Sequence, residues 1–220
     1  MAARIISLII GYFCGLVQTG YIYGKAKGID IRQHGSGNAG TTNTLRTLGP
    51  KAGLIVLLGD MLKTLVAIFI SWLLFHKSNP DIVPLLKVYA TAGAVLGHDF
   101  PFYLKFKGGK GIAATAGLIV GLANPVILIC EAVIFFTIFF TTHYVSLGSL
   151  MLYLGLVVEV IIFGQLGIGD IGAMALIPRI EMYVILFLLM VLAYWQHRAN
   201  IGRLLTHTER KTYIKQPKTE

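Results

Sequence analysis

The string GSGNAGTTNTLR, from Gly35 to Arg46, crowds glycines, short polar side chains and one arginine into twelve residues. Gly35, Gly37 and Gly40 let consecutive N–H groups turn inward, the backbone geometry of an anion nest. Ser36, Asn38, Thr41, Thr42 and Asn43 add short donors, and Arg46 offers a planar fork suited to phosphate. The first six residues also spell G-x-G-x-x-G, with Asp60 twenty positions after Gly40. A dinucleotide site needs that string after a strand and within a βαβ unit. Here it follows a long apolar run, and Asp60 falls inside the next one, so the match is a coincidence of spelling.

A second string, KFKGGKGIAATAG, sets Lys110 between Gly108, Gly109 and Gly111 at the start of a helical pattern. A glycine loop at a helix N-terminus is a ready anion site. It is not a P-loop, because no Ser or Thr follows Lys110. Lys105 and Lys107 fit simple anchoring at a membrane face; Lys110, boxed by glycines, fits a binding role. In GHDFP, His98 and Asp99 sit near the end of an apolar run, where an ionisable group is either functional or held by a structural hydrogen bond. In HRANIGRLL, His197 and Asn200 are spaced i, i+3 and share a helix face that Arg203 continues. The plain alternative there is an interfacial anchor with Trp195. Asp60 and Lys63, also i, i+3, can neutralise each other; they read as structural, as do Glu131 and Glu159. No His, Cys, Asp and Glu grouping has metal-ligand spacing, so neither metal nor cofactor is expected. No activated nucleophile of the G-x-S-x-G kind is visible.

The elements that must position these residues are membrane spans. Of 220 residues, 55% are hydrophobic and 13% charged, with a mean hydropathy of +0.73. Soluble domains carry roughly 25% charged residues. An all-α integral membrane protein follows. With a net charge of +9 on so apolar a chain, the cations are expected to set topology and meet anionic partners, not nucleic acid. Cys14 and Cys130 lie in apolar runs and give no disulfide framework. The N-terminal apolar stretch lacks a convincing small-residue cleavage site and reads as a retained first helix.

Spans need about 20 apolar residues. Seven are predicted, at about 3–23, 52–75, 84–104, 112–123, 126–142, 147–163 and 181–195, with a turn at Asn124–Pro125 that leaves the fourth span short. Residues 164–180 read equally as a loop, a re-entrant piece or a helix extension. Residues 197–220 form a basic tail, briefly helical and then loose. Seven spans place fourteen of the 19 Lys and Arg residues on one face, including Lys215 and Lys218 of the tail. The positive-inside bias makes that face cytoplasmic, with the N-terminus outside and the C-terminus inside. Every polar motif lies on the same face, so a single composite site at the cytoplasmic boundary is predicted.

Taken together, SGNAGTTNTLRTLG, GHDFPFYLKFKGGKGIAA and HRANIGRLLTHTE resemble the signature loops of the bacterial acyl-phosphate:glycerol-3-phosphate acyltransferases, the PlsY family. The resemblance covers the whole chain in motif order, span count and length. It departs at His207, where the family usually has glycine. It implies an inner-membrane enzyme, one 1–220 acyltransferase domain, that moves a fatty acyl group from acyl phosphate to the 1-position of glycerol 3-phosphate. The products are lysophosphatidic acid and phosphate, in the first acylation step of phospholipid synthesis. The missing nucleophile then has a reason: acyl phosphate is a mixed anhydride, and direct attack needs positioning and charge neutralisation more than a covalent intermediate.

By analogy with the family, Ser36, Asn38, Gly40, Thr41, Thr42 and the Gly108–Gly109 backbone hold the acyl phosphate. Gly37, Asn43, His98, Gly111 and Arg203 complete the substrate-binding set. Arg46, Lys110, Ser146, His197 and Asn200 hold glycerol 3-phosphate and carry the reaction, with Ser149 the alternative to Ser146 and a substrate phosphate oxygen a candidate base. A monomer is expected, with acyl phosphate, glycerol 3-phosphate and membrane lipid as partners. The short fourth span points to a lateral opening for the acyl tail. The competing class is a transporter of phosphate or a phosphorylated metabolite, which predicts polar groups near the midplane and internal repeats, neither of which is seen.

Overall fold

The structure, a computed structural model, describes residues 1–213. Lys215 and Lys218, like the rest of 214–220, lie outside the described residues. Regular structure among the described residues is helical throughout. In chain order the helices are α1 (Ala2–Gly15), α2 (Thr19–Ala26), α3 (Thr41–Leu48), α4 (Pro50–Phe75), α5 (Val83–Asp99) and α6 (Ile112–Gly121), followed by α7 (Pro125–Thr142), α8 (Val145–Gln165), α9 (Gly169–Ala173), α10 (Leu176–Gln196) and α11 (Arg198–Leu205).

Among the described residues, five segments are long and apolar enough to cross a membrane: Ala2–Ala26, which joins α1 and α2, then α4, α7, α8 and α10. The other two predicted spans are shorter helices, α5 with 17 residues and α6 with 10. The third span was expected to run to residue 104, but α5 stops at Asp99 because Phe100 precedes Pro101 and leaves helical geometry, with φ −126° and ψ 58°. The first span breaks between α1 and α2, where the Gln18 amide donates to the carbonyls of Gly15, Gly97 and His98. The polar stretch between the first two spans contains a helix, α3, ended by Gly49 at φ 87°. Residues 164–180 divide between the end of α8, the single turn α9 and the start of α10.

The sharp turn at Asn124 is built locally. The Asn124 side chain accepts from the amides of Val126 and Ile127, and Pro125 opens α7.

Helix α5 is the axis of the bundle, packed on α1, α4, α6 and α10. It meets α1 backbone to backbone. A Cβ on Gly11 or Gly15 would overlap the Ala90 or Ala94 carbonyl, and one on Gly93 or Gly97 would overlap α1 in return. Without a hydrophobic drive between helices in lipid, such small-residue contact is how spans hold together. Most of α5 is buried, and its last residues, His98 and Asp99, end beneath the glycine loop that starts α6. At the opposite end, Arg4 of α1 ion-pairs with Glu181 of α10 at 2.8 Å, and Glu181 also accepts from Tyr89 of α5. Helix α7 is the outermost element, packed mainly on α8, with Ile129, Val133, Phe136 and Phe140 exposed along it.

Candidate active site

Three structural pieces form the site. In the first, Asn43 organises the 31–40 loop. Its Oδ1 accepts from the Ser36 amide at 2.8 Å, and its Nδ2 donates to the carbonyls of Ile31, His34 and Asn38. Asn43 is 3% exposed and its side chain is fully engaged, so it builds the loop and does not face a ligand. Asn38 contributes only Oδ1, which accepts from the Gly40 amide at 2.9 Å, and its Nδ2 has no acceptor among the described residues. Gly35 and Gly37 sit at φ 61° and 73°, where a side chain would be strained, and a Cβ on Gly35 would overlap the Asn43 amide. The outcome is a set of amides at the head of α3, those of Thr41, Thr42 and Asn43, with no acceptor among the described residues. Ser36 is exposed, Thr42 half-buried, and the buried Thr41 hydroxyl lacks a partner.

The second piece is the glycine loop before α6. The amides of Gly108 and Gly109 donate to the carbonyls of Asp99 (3.1 Å) and His98 (3.0 Å). This corrects the assignment of those two amides to a substrate: they fasten the loop to the end of α5. The free donors come just after them. The amides of Lys110, Gly111 and the first turn of α6 have no acceptor among the described residues, and Gly111 holds the required φ of 73°. His98 is 3% exposed, and its imidazole packs on Gly109, where a Cβ would collide with Nε2.

The third piece is the chain after α10. His197 sits at a break between α10 and α11, not within one continuous helix as the i, i+3 spacing implied. Its Nδ1 donates to the Ala193 carbonyl at 2.8 Å, which leaves Nε2 as an acceptor. Burial, and then the nearby Lys110 charge, hold the imidazole down to about 4, so it is neutral. Beyond α11 the chain turns back and sets the Glu209 carboxylate into the cluster.

Glu209 gathers the residues named from sequence. It accepts from Ser146 at 3.0 Å, Asn200 at 2.7 Å and Arg203 at 2.7 Å. Asn200 Oδ1 in turn receives the Lys110 ammonium. Arg46 of α3 donates to the Arg210 carbonyl (2.9 Å) and the Thr212 hydroxyl (2.5 Å), and the Thr212 amide reaches the His143 carbonyl between α7 and α8. Burial, then the Arg203 charge, draw Lys110 down to about 8. Burial alone would raise the Glu209 carboxyl, but hydrogen bonds from Asn200, Arg203 and Ser146 take it below its ordinary value. Ser146 is joined to the cluster; Ser149 bonds within its own helix, to the Val145 carbonyl. Glu209 and Thr212 were not foreseen as site residues. Glu209 closes the third quoted motif, and an acid directly after a basic helix was the available signal.

Cations from α3, the α6 loop and α11 thus surround free amides at one end of an all-helical bundle, an arrangement suited to phosphorylated ligands. Residues 5–207 match the glycerol-3-phosphate acyltransferase family model. A glycerol-3-phosphate acyltransferase of Bacillus cytotoxicus is 43% identical over 93% of this chain and 92% of that protein. Another from Bacillus subtilis strain 168 is 39% identical over 93% and 95%. The crystal structure of PlsY, an integral membrane glycerol 3-phosphate acyltransferase, in its glycerol 3-phosphate form, superposes with a TM-score of 0.79 at 28% identity, covering 96% of both chains. Its lysophosphatidic acid form gives 0.78 at 27% identity. The chain belongs to the glycerol-3-phosphate acyltransferase family, and it is a multi-pass membrane protein.

Proposed function

We propose that this protein transfers a fatty acyl group from acyl phosphate to the 1-hydroxyl of glycerol 3-phosphate. The observation that carries the reading is the convergence of Asn200, Ser146 and Arg203 on the Glu209 carboxylate, with Lys110 joined to it through Asn200 Oδ1 and the neutral His197 beside them. Lys110, Arg203 and Arg46 supply the charge for a phosphate monoester, and the free amides at the head of α6 lie next to Lys110. We assign this region, Gly111 included, to glycerol 3-phosphate. The 35–42 loop, with its free amides at α3, takes the acyl phosphate.

In the transfer, the glycerol oxygen attacks the acyl carbon, and the bond from that carbon to the phosphate oxygen breaks. Phosphate departs with the electron pair, and the hydroxyl proton passes to a phosphate oxygen. His197 Nε2, an acceptor, takes a hydrogen bond from the neighbouring 2-hydroxyl of glycerol 3-phosphate and so orients the attacking end of the substrate. No covalent acyl-enzyme is required. Positioning two anions side by side against fixed cations and amides is the catalytic contribution.

The site opens to the cytoplasm in this reading, with seven passes through the inner membrane and a monomer as the working unit. Its support is the charge asymmetry and the basic residues stacked on interfacial aromatics, Arg198 on Trp195 and Arg32 on Tyr21. The acyl tail leaves sideways past α6, whose 10 residues span only about 15 Å of a core about 30 Å thick. The apolar cleft between α6 and α7, lined by Val120, Ala123 and Leu128, marks that side.

The test supplies purified protein with glycerol 3-phosphate and a long-chain acyl phosphate. Stoichiometric release of phosphate and lysophosphatidic acid is expected. No release, with counterflow of glycerol 3-phosphate in proteoliposomes, would establish a transporter instead.

A further inference from the structure

Asp60 and Lys63, one turn apart on α4, are more than a self-neutralising pair. Asp60 is 0% exposed, Lys63 5%. The Lys63 ammonium has its own set of acceptors: the Val17 carbonyl at 2.8 Å, His98 Nδ1 at 2.7 Å and, as an ion pair, Asp60 Oδ1 at 2.9 Å. Asp60 Oδ1 is itself fixed by the Thr19 hydroxyl at 3.0 Å. The three N–H groups of an ammonium match these three contacts, so Lys63 has one defined orientation.

That orientation dictates the chemistry of His98. An ammonium only donates. Nδ1 of His98 must therefore be the lone-pair nitrogen, and the neutral ring must carry its proton on Nε2. Nε2 is the nitrogen packed against Gly109, next to Lys110, and it has no acceptor among the described residues. The His98 carbonyl also holds the Gly109 amide, so the loop is tied to the residue whose ring packs on it.

We propose that Lys63 and Asp60 are positioning residues: by locking the His98 tautomer, they aim an N–H donor into the glycine loop, where it binds a phosphate oxygen of glycerol 3-phosphate. His98 becomes a donor of the binding set, and the charged pair one helix away decides that it can be one. The opposite tautomer would present a lone pair to a phosphate anion and repel it. The proposal rests on the acyltransferase reading for its ligand, not for its tautomer.

The test uses full-length protein in detergent micelles. Replacing the pair as a unit, Asp60→Asn with Lys63→Met, avoids leaving one buried charge alone. In ¹⁵N-histidine-labelled wild type, His98 is expected to show a protonated Nε2 and an unprotonated Nδ1. The double replacement should lose that preference. It should also raise KM for glycerol 3-phosphate about tenfold, the effect of one hydrogen bond to a charged group, and leave KM for acyl phosphate unchanged. In a His98→Ala background the same replacement should add nothing. Lys63→Arg, which keeps a donor facing His98, should retain most of the affinity. A wild-type His98 protonated on Nδ1, a tautomer indifferent to the pair, or effects that multiply in the His98→Ala background would each overturn the proposal. Absence of acyl transfer in the wild type would defeat the functional reading but leave the tautomer result to be judged on its own.

Discussion

The Asn200 amide donates to Glu209 Oε1 at 2.7 Å while its carbonyl oxygen receives the Lys110 ammonium. An asparagine is needed there because each end meets a partner of opposite character: a carboxylate acceptor on one side and a cationic donor on the other. Asn200→Asp would keep the shape but set two carboxylates within hydrogen-bond distance. We expect turnover to fall about 100-fold or more, with Asn200→Ala falling less, because loss of the link is milder than repulsion within it. Phosphate release by variants that remain monodisperse in detergent is the measurement. Near-normal turnover of Asn200→Asp would remove Asn200 from the site.

Lys110 loses its proton near pH 8 in its buried position beside Arg203. If the ammonium binds substrate phosphate, kcat/KM for glycerol 3-phosphate falls as pH rises through about 8. Arg203→Gln removes a charge that lowers Lys110, so the falling limb should move to higher pH even though binding weakens. Lys110→Arg should abolish the limb in this range, since guanidinium stays charged. A profile whose alkaline limb ignores both replacements would assign the ionisation elsewhere.

Much of this is legible in the sequence. Apolar runs located the long helices, and glycine spacing located both loops, because each signal is local. Three things were not visible. Short polar side chains look alike whether they face a ligand or their own backbone, and so Asn43 reads as a ligand donor when its amide builds the loop. The break at His197 has no Gly or Pro to announce it, so His197 and Asn200 appeared to share one helix. Glu209 and the Lys63–His98 contact depend on partners distant in sequence; Lys63 and His98 are 35 residues apart. Hydropathy also cannot distinguish a lipid-facing span from α5, which packs on α1, α4, α6 and α10.

Glu209 has an acid-side consequence. Its folded value is held below the ordinary 4.5 by Asn200, Arg203 and Ser146, against the opposing effect of burial. A carboxylate shifted this way contributes its full stability above the unfolded value and loses it as pH falls through the lower folded value. Wild-type Tm should therefore decline as pH is lowered from about 5 towards 3. Glu209→Gln should start from a lower Tm near neutrality and show a shallower decline. Parallel curves for the two proteins would mean that Glu209 is not held by these partners in solution.

His207 stands where the resemblance in sequence leads one to expect glycine, and the backbone gives a physical reason for glycine there. His207 ends α11 in the left-handed region, φ 56°, with its amide on the Leu204 carbonyl (3.2 Å) and the Thr208 amide on the Arg203 carbonyl (2.8 Å). This is the Schellman pattern, in which the left-handed position favours glycine. The turn sends the chain back so that Glu209 reaches Asn200, so any strain at His207 bears on the site directly. A left-handed side-chain residue costs about 1–2 kcal/mol, and the greater unfolded-state freedom of glycine offsets part of it. His207 is exposed and its side chain makes no hydrogen bond among the described residues, so its removal forfeits no contact of that kind. His207→Gly should raise stability by about 0.5–1 kcal/mol, roughly 1–4 °C in Tm, while leaving turnover intact. A lower Tm would show that the His207 side chain contributes something the backbone geometry does not explain.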